Sequence, residues 1–270
     1  MIRYKIFFKI LKIFNFILIG VLIFVYVFLA NGFIEKGIVT NEINEFKERG
    51  VFTEQIIINK QKVNMYKVIK KYEYEDISRP IYEFDGYDYN LGSKTDITIT
   101  SRNPMRHSDS ALVKDVCGFF ANNFYLGHAT INVTDNGSHY VESIGNGSSN
   151  KVEKNRNTWI DTEIRGKDVT NKIVGIRIKN TTAELRNQIT EEVLDKVGCE
   201  YNYNFFFPHK DKYYCTDLIT RSLYKFGIDL NYDNFFAIGN DLILSDETYL
   251  IFYIECDSEG VFSFYYLSEE

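Results

Sequence analysis

The clearest pattern along the chain is an unbroken apolar run near its start. From Ile13 to Ala30 it reads IFNFILIGVLIFVYVFLA, apolar apart from Asn15. At about 1.5 Å per residue such a run crosses most of a ~30 Å hydrocarbon core, and its residues are apolar on every side of a helix, unlike those of an amphipathic core helix. Arg3, Lys5, Lys9 and Lys12 precede it, and Glu35, Glu42 and Glu45 follow it. That bias puts the N-terminus inside and the remaining chain outside. A cleaved signal peptide fits less well, because Phe28 stands where a small residue is wanted before Ala30. Residues 1–31 are thus expected to be a single-pass anchor in the cell membrane, with an extracytoplasmic body behind it.

Beyond the anchor the periodicity changes. Residues 32–93 are charged and mixed, with a short helical stretch at NEINEFKER and strand-like runs at EQIIIN and KVNMYKVIK. They read as a stalk plus a small extension. A compact α+β domain is expected over residues 94–270, opening with the alternating strand DITIT. Residues 109–121 read as a helix with Leu112, Val116, Phe119 and Phe120 on one stripe. Strands follow at 127–134, at 139–144 and in KIVGIRI. A second helix follows Thr181, with Thr181 and Glu184 as a capping box, a buried stripe of Leu185, Ile189, Val193, Leu194 and Val197, and Gly198 as its stop. An aromatic loop, YNYNFFFPHKDKYY, leads to Cys215, where the helix TDLITRSLYKF begins and Gly227 ends it. YLIFYIE and VFSFYYL make the C-terminal third strand-rich.

Composition narrows the functional classes. The net charge is −6, and four basic residues lie before the anchor, so the extracytoplasmic part is more acidic still. A duplex nucleic-acid partner is excluded on that ground. Cys117, Cys199, Cys215 and Cys256 form no CxxC pair and have no histidine at metal-ligand spacing, so neither a zinc site nor a redox motif is indicated. No cofactor or metal is expected. The Asn-Gly-Ser sites at 136 and 146 matter as glycan acceptors only in a eukaryotic source.

The candidate chemistry starts at Cys215. It immediately precedes a helix whose buried residues would be Leu218, Ile219, Leu223 and Phe226, so unpaired backbone N–H groups and the positive end of the helix dipole favour the thiolate. The same N–H groups can bind an oxyanion. In GHATINVT, Ala129, Ile131 and Val133 alternate toward a core, leaving His128, Thr130 and Asn132 on the opposite, cleft-facing side. The connection TDNGS suits a three-residue hairpin loop, with Asp135 and Asn136 in a type I turn and Gly137 left-handed. Pairing Thr134 with Ser138 then sets Asn132 opposite Tyr140 and Thr130 opposite Glu142. That register puts Glu142 on the His128 face, and a two-residue loop would send it to the core side. Cys215 as nucleophile, His128 as base and Glu142 as orienting acid make a plausible triad. His107, His139, His209 and Cys117 are expected to be structural or solvated.

These residues resemble the permuted papain-like amidases of the YiiX/YaeF type, a branch of the NlpC-type cysteine peptidase superfamily. TDITIT is similar to that family's opening Gly-Asp-Ile strand, GHATINVTDNGSHYVES to its histidine strand and following Val-Ile-Glu-Ala strand, and YYCTDLITRSLYKFGIDL to its Tyr-Cys-Ser-Glu-Leu-Val helix. Ordinary papain-like enzymes have the cysteine first, whereas here His128 precedes Cys215. The resemblance covers residues 95–232. It departs from the family at Thr95 for the opening glycine, at Thr216-Asp217 for Ser-Glu, and at Ser143 after the acid, and none of these removes a catalytic atom. It implies a permuted papain-like fold, an antiparallel sheet or barrel packed on helices, and a cysteine amidase or peptidase acting on peptides or small amides, with peptidoglycan as one target. Two rivals stand beside this: lipid-directed acyl transfer or deacylation, with Phe205-Phe206-Phe207 bordering an acyl groove, and a non-catalytic surface-binding module.

Overall fold

The computed structural model describes residues 2–84, 89–146, 149–164, 172–205, 207–233 and 236–269. Its first element joins two stretches that the sequence presents separately. Helix α1 runs Ile2–Glu48 without interruption, since no proline falls within it and Gly20, Gly32 and Gly37 each weaken a helix by only about 1 kcal/mol. Its apolar turns between Phe8 and Val27 are exposed all round, and the helix is long and apolar enough to cross a membrane. Further on, Val39, Ile43 and Phe46 recur at helical spacing and are buried against the rest of the protein.

The principal sheet has eleven strands among the described residues. Strands β1 (Gly50–Ile58) and β2 (Gln61–Ile69) form a hairpin whose second strand pairs parallel with β13 (Phe262–Ser268). The order continues antiparallel through β12 (Thr248–Cys256), β9 (Ile173–Ile178), β5 (Ile97–Thr100), β6 (His128–Asn132), β7 (His139–Asn146) and β8 (Ser149–Arg156). Short strands β10 (Glu200–Tyr201) and β11 (Lys212–Tyr213) close the far edge. A separate pair, β3 (Tyr82–Phe84) and β4 (Tyr89–Leu91), lies apart from this sheet.

Residues 32–93 are therefore no free-standing stalk. Ile58, Val63, Met65, Val68 and Leu91 are buried and belong to one hydrophobic core with the strands that follow. The register explains this, because β2 pairs parallel with β13, some 200 residues later, and so joins the principal sheet. Arg177 on β9 clamps the same region. Fully enclosed, it donates from Nε and Nη2 to Asp96 at 2.8 and 2.7 Å and from Nη1 and Nη2 to the carbonyls of Asp76 and Pro80 at 2.6 and 2.9 Å.

The remaining helices are α2 (Ala111–Phe124), α3 (Trp159–Glu163), α4 (Ala183–Asp195), α5 (Cys215–Tyr224) and α6 (Gly239–Leu244). Helix α4 is capped by Thr182, whose side chain accepts from the Leu185 N–H at 3.2 Å, one residue later than the Thr181 box expected. Its stripe buries Ile189 and Val193, while Val197 is exposed. The stripe on α2 turns outward, with Leu112 73% exposed and Val116 and Phe119 also open. Periodicity shows which face of a helix is apolar without showing what covers it. Here the face adjoins the end of the apolar half of α1, where Phe28 meets the Phe120 and Phe124 rings and Phe33 meets Phe119. A Cβ on Gly32 would stand 2.9 Å from the Phe124 ring, so a larger residue there would push the two helices apart.

Candidate active site

Helix α5 lies across β6 and β7 and buries Leu218, Ile219 and Leu223. That docking fixes where Cys215, its first residue, meets the sheet. Tyr214 precedes it in extended conformation, so the first free N–H groups of α5 sit beside the sulfur. The backbone N–H groups of Thr216 and Ala129 lie near enough to it to favour its thiolate.

The hairpin has the three-residue loop that its parity requires. Gly137 takes φ +68, its N–H donates to the Thr134 carbonyl at 3.1 Å, and the Thr134 and Ser138 hydroxyls meet at 3.2 Å. Asn132 pairs with Tyr140 and Ile131 with Val141. Glu142 consequently shares a face with His128, and its Oε2 lies 2.5 Å from His128 Nε2. Cys215 lies within electrostatic and hydrogen-bonding reach of the same ring. With Nε2 engaged by Glu142, Nδ1 is the nitrogen left for the sulfur. The three residues singled out in the sequence meet at one point, with the imidazole between a carboxylate and a thiol.

The face expected to line an open cleft is narrower than its alternation suggests. Thr130 and Asn132 are buried, covered by the chain that packs over them: Trp159 Nε1 donates to Thr130 Oγ1 at 3.0 Å, and Asn132 Nδ2 donates to the Leu91 carbonyl at 2.7 Å. His128, at the strand end, keeps partial exposure.

Charge in the cluster is matched. Close packing opposes a charged imidazole, but the Cys215 and Glu142 hydrogen bonds and their negative charge outweigh it, and the His128 pKa rises to about 10. Packing likewise opposes a thiolate. The hydrogen bond and charge of His128 and the two backbone N–H groups outweigh it, and the Cys215 pKa falls below its ordinary value. Thiolate and imidazolium therefore form and vanish as a pair. Since His128 is raised from 6.5, the fold gains stability from its pairing that is fully present below that value and lost as pH climbs through about 10.

Three neighbours were missed in the sequence. Asn155 Nδ2 donates to Glu142 Oε1 at 2.8 Å and holds the carboxylate from its far side. The Gly147-Ser148 dipeptide is a two-residue hairpin signal, and pairing Asn146 with Ser149 around it sets Tyr140 opposite Asn155, on the Glu142 face. The Trp159 ring lies 6.2 Å from the imidazole. Burial raises the Tyr201 pKa, and the negative charge of Cys215 raises it further, which puts that phenol within electrostatic reach of the sulfur. Neither Trp159 nor Tyr201 carries a local sequence signal.

The other candidates lie elsewhere. His139 Nδ1 meets the Ser138 hydroxyl at 3.0 Å, His209 Nδ1 accepts from the Asp211 N–H at 3.4 Å, and His107 is exposed. Cys117 is half-buried on α2. Of the three consecutive phenylalanines, Phe206 lies outside the described residues. Phe205 stands edge-on to Tyr214 at 5.3 Å, and Phe207 is 69% exposed.

Comparison with known proteins agrees with this architecture. Residues 114–261 match the family described as permuted papain-like amidase enzyme, YaeF/YiiX, C92 family. No curated relative matches the chain. Among solved structures, the chain is similar to one titled "Crystal structure of metalloprotein yiiX from Escherichia coli O157:H7", with 12% identity and a TM-score of 0.42, over 59% of this chain and 96% of that one. With more than half its length matched, the chain belongs to the permuted papain-like amidase family of the YaeF/YiiX type, a family of amidase-class hydrolases.

Proposed function

We propose that the protein is a membrane-anchored cysteine hydrolase that cleaves amide bonds through Cys215, His128 and Glu142. The observation that carries this reading is the His128 ring held between Glu142 Oε2 and the Cys215 sulfur. The thiolate attacks the substrate carbonyl carbon, and a C–S bond forms as the carbonyl becomes an oxyanion facing the α5 N–H groups. The C–N bond then breaks, and the amine leaves with the proton held on His128. Water, deprotonated by His128, attacks the thioester, releases the acid and restores the pair. Glu142 keeps the imidazole oriented and supports its charge. With α1 as the anchor and the basic residues of its N-terminal end inside, the domain faces the extracytoplasmic side, where cell-wall peptides are the available amides.

A second reading, hydrolysis or transfer of lipid acyl groups, is favoured by the apolar surroundings. Phe205 stands edge-on to Tyr214, the residue before Cys215, and Phe205 and Phe207 are exposed. One experiment separates the two. Full-length protein in native membranes is incubated with cell-wall peptides and, in parallel, with diacyl phospholipids, and the Cys215 peptide is followed by mass spectrometry. A peptidyl thioester that disappears in Cys215→Ser supports the amidase. A fatty-acyl thioester alone transfers the mechanism to lipid. No adduct on either substrate sinks both.

A further inference from the structure

Three carboxylates converge where α1 docks on α6. Glu35 on α1 and Asp241 on α6 are buried and Asp233 is exposed, and one oxygen from each lies within 4.8 Å of the others. Asn31, one turn before Glu35, donates from the same amide nitrogen to Glu35 at 2.6 Å and to Asp233 at 2.9 Å. Asp241 accepts from the Ile238 N–H at 2.7 Å through one oxygen, while the other is enclosed without a hydrogen bond among the described residues.

A second observation points into this cluster. Asn240 is 0% exposed, and neither its amide nitrogen nor its oxygen makes a hydrogen bond of ordinary geometry among the described residues. Its side chain nevertheless lies close enough to the Glu35 carboxyl to lower that group's pKa. A buried primary amide in that condition is costly unless something meets it. Neither Glu35 nor Asp241 is ion-paired among the described residues, and the charged neighbours that act most on them are other carboxylates.

We propose that Glu35, Asp233 and Asp241, with the Asn240 amide oxygen, form a calcium site that fastens the anchor helix to the hydrolase domain. The donors are all hard oxygens, which selects calcium, magnesium or manganese over zinc or copper. Ligand number chooses among them. Calcium takes about 6–8 oxygens and accepts several protein carboxylates at once, whereas magnesium keeps several waters and is usually held by only one or two carboxylates. The site also explains why no lysine or arginine pairs with Glu35 or Asp241 among the described residues. Glu35 lies outside the segment matched by the family, whereas Asp233, Asn240 and Asp241 lie within it, so the clamp ties α1 to the matched segment.

The test uses full-length protein in detergent, stripped with EDTA and dialysed, then titrated with calcium chloride against sodium chloride of equal ionic strength. One calcium per chain is expected by calorimetry, with Kd on the order of 0.1–1 mM, as in other extracellular modules. The melting temperature should rise by about 3 °C at saturation, and magnesium should do less. Asp233→Asn, at an exposed position, should weaken calcium binding at least tenfold while leaving the EDTA melting temperature within a degree or two. Glu35→Gln serves as the isosteric second variant. Absence of a saturable response in the wild type, or an unchanged response in both variants, overturns the site.

Discussion

Asp96 and Asp241 are equally buried, each 1% exposed, and they meet opposite circumstances. Asp96 receives two hydrogen bonds from Arg177, lies 3.6 Å from Arg79 and accepts from the Ser93 backbone at 2.7 Å. Asp241 accepts from the Ile238 backbone, lies near the Asp233 backbone N–H, and otherwise has an unused oxygen and acidic neighbours. Burial, with Asp233 and Glu35 adding to it, pushes its pKa up to about 8. Depth of burial therefore does not decide how a carboxyl is held, whereas the identity of its neighbours does. The chain supplies the countercharge for Asp96 from its own β9, and around Asp241 it supplies a set of donors suited to an ion from outside. The active site is of the first kind, because His128 is matched from both sides.

Removing a matched partner should hurt far more than removing an unmatched acid. The largest effect is expected at the active site, where Cys215→Ala should lower amide hydrolysis by at least about 10³-fold with the melting temperature preserved, measured as kcat/KM on a cell-wall peptide. Next is Asp96→Asn, which leaves Arg177 enclosed without a countercharge and should cost about 3–5 kcal/mol in denaturant unfolding. Replacing both partners, with Arg177→Met and Asp96→Leu, should recover a substantial part of that loss. Glu142→Gln should reduce kcat by roughly ten- to a hundredfold. It should also move the alkaline limb of the pH–rate profile below about 10, because the charge that raises His128 is gone. Smallest is Asp241→Asn in EDTA, expected within about 1 kcal/mol of wild type. A loss there equal to that of Asp96→Asn would show that Asp241 also has a full partner.

Much of the active site could be read from the sequence because its determinants are local. TDNGS fixes the hairpin register, and the register puts Glu142 beside His128. Cys215 at a helix start follows from the spacing of Leu218, Ile219 and Leu223. What escaped depends on contacts between distant segments. The outward stripe of α2 could not be told from a core stripe, since its neighbour, α1, lies about 90 residues earlier. Residues 32–93 looked detached because their partner strand is β13. Asp233 and Asp241 are some 200 residues from Glu35, and a search for histidine and cysteine spacing passes over carboxylates brought together only by packing. Asn155 was within reach, since a Gly147-Ser148 loop sets its register.

The unbroken course of α1 governs how far the enzyme can reach. An anchor joined through a flexible linker lets a domain sample a volume, but here the same helix that leaves the apolar turns enters the core at Val39, Ile43 and Phe46. About 27 Å of helix separates Ala30 from Glu48, and it is already packed against α2 and α6. A chain held in a bilayer by α1 would carry Cys215 at one fixed height and in one fixed orientation. It would act on whatever passes through that layer, and encounter would depend on lateral diffusion in the plane rather than on movement of the enzyme away from it.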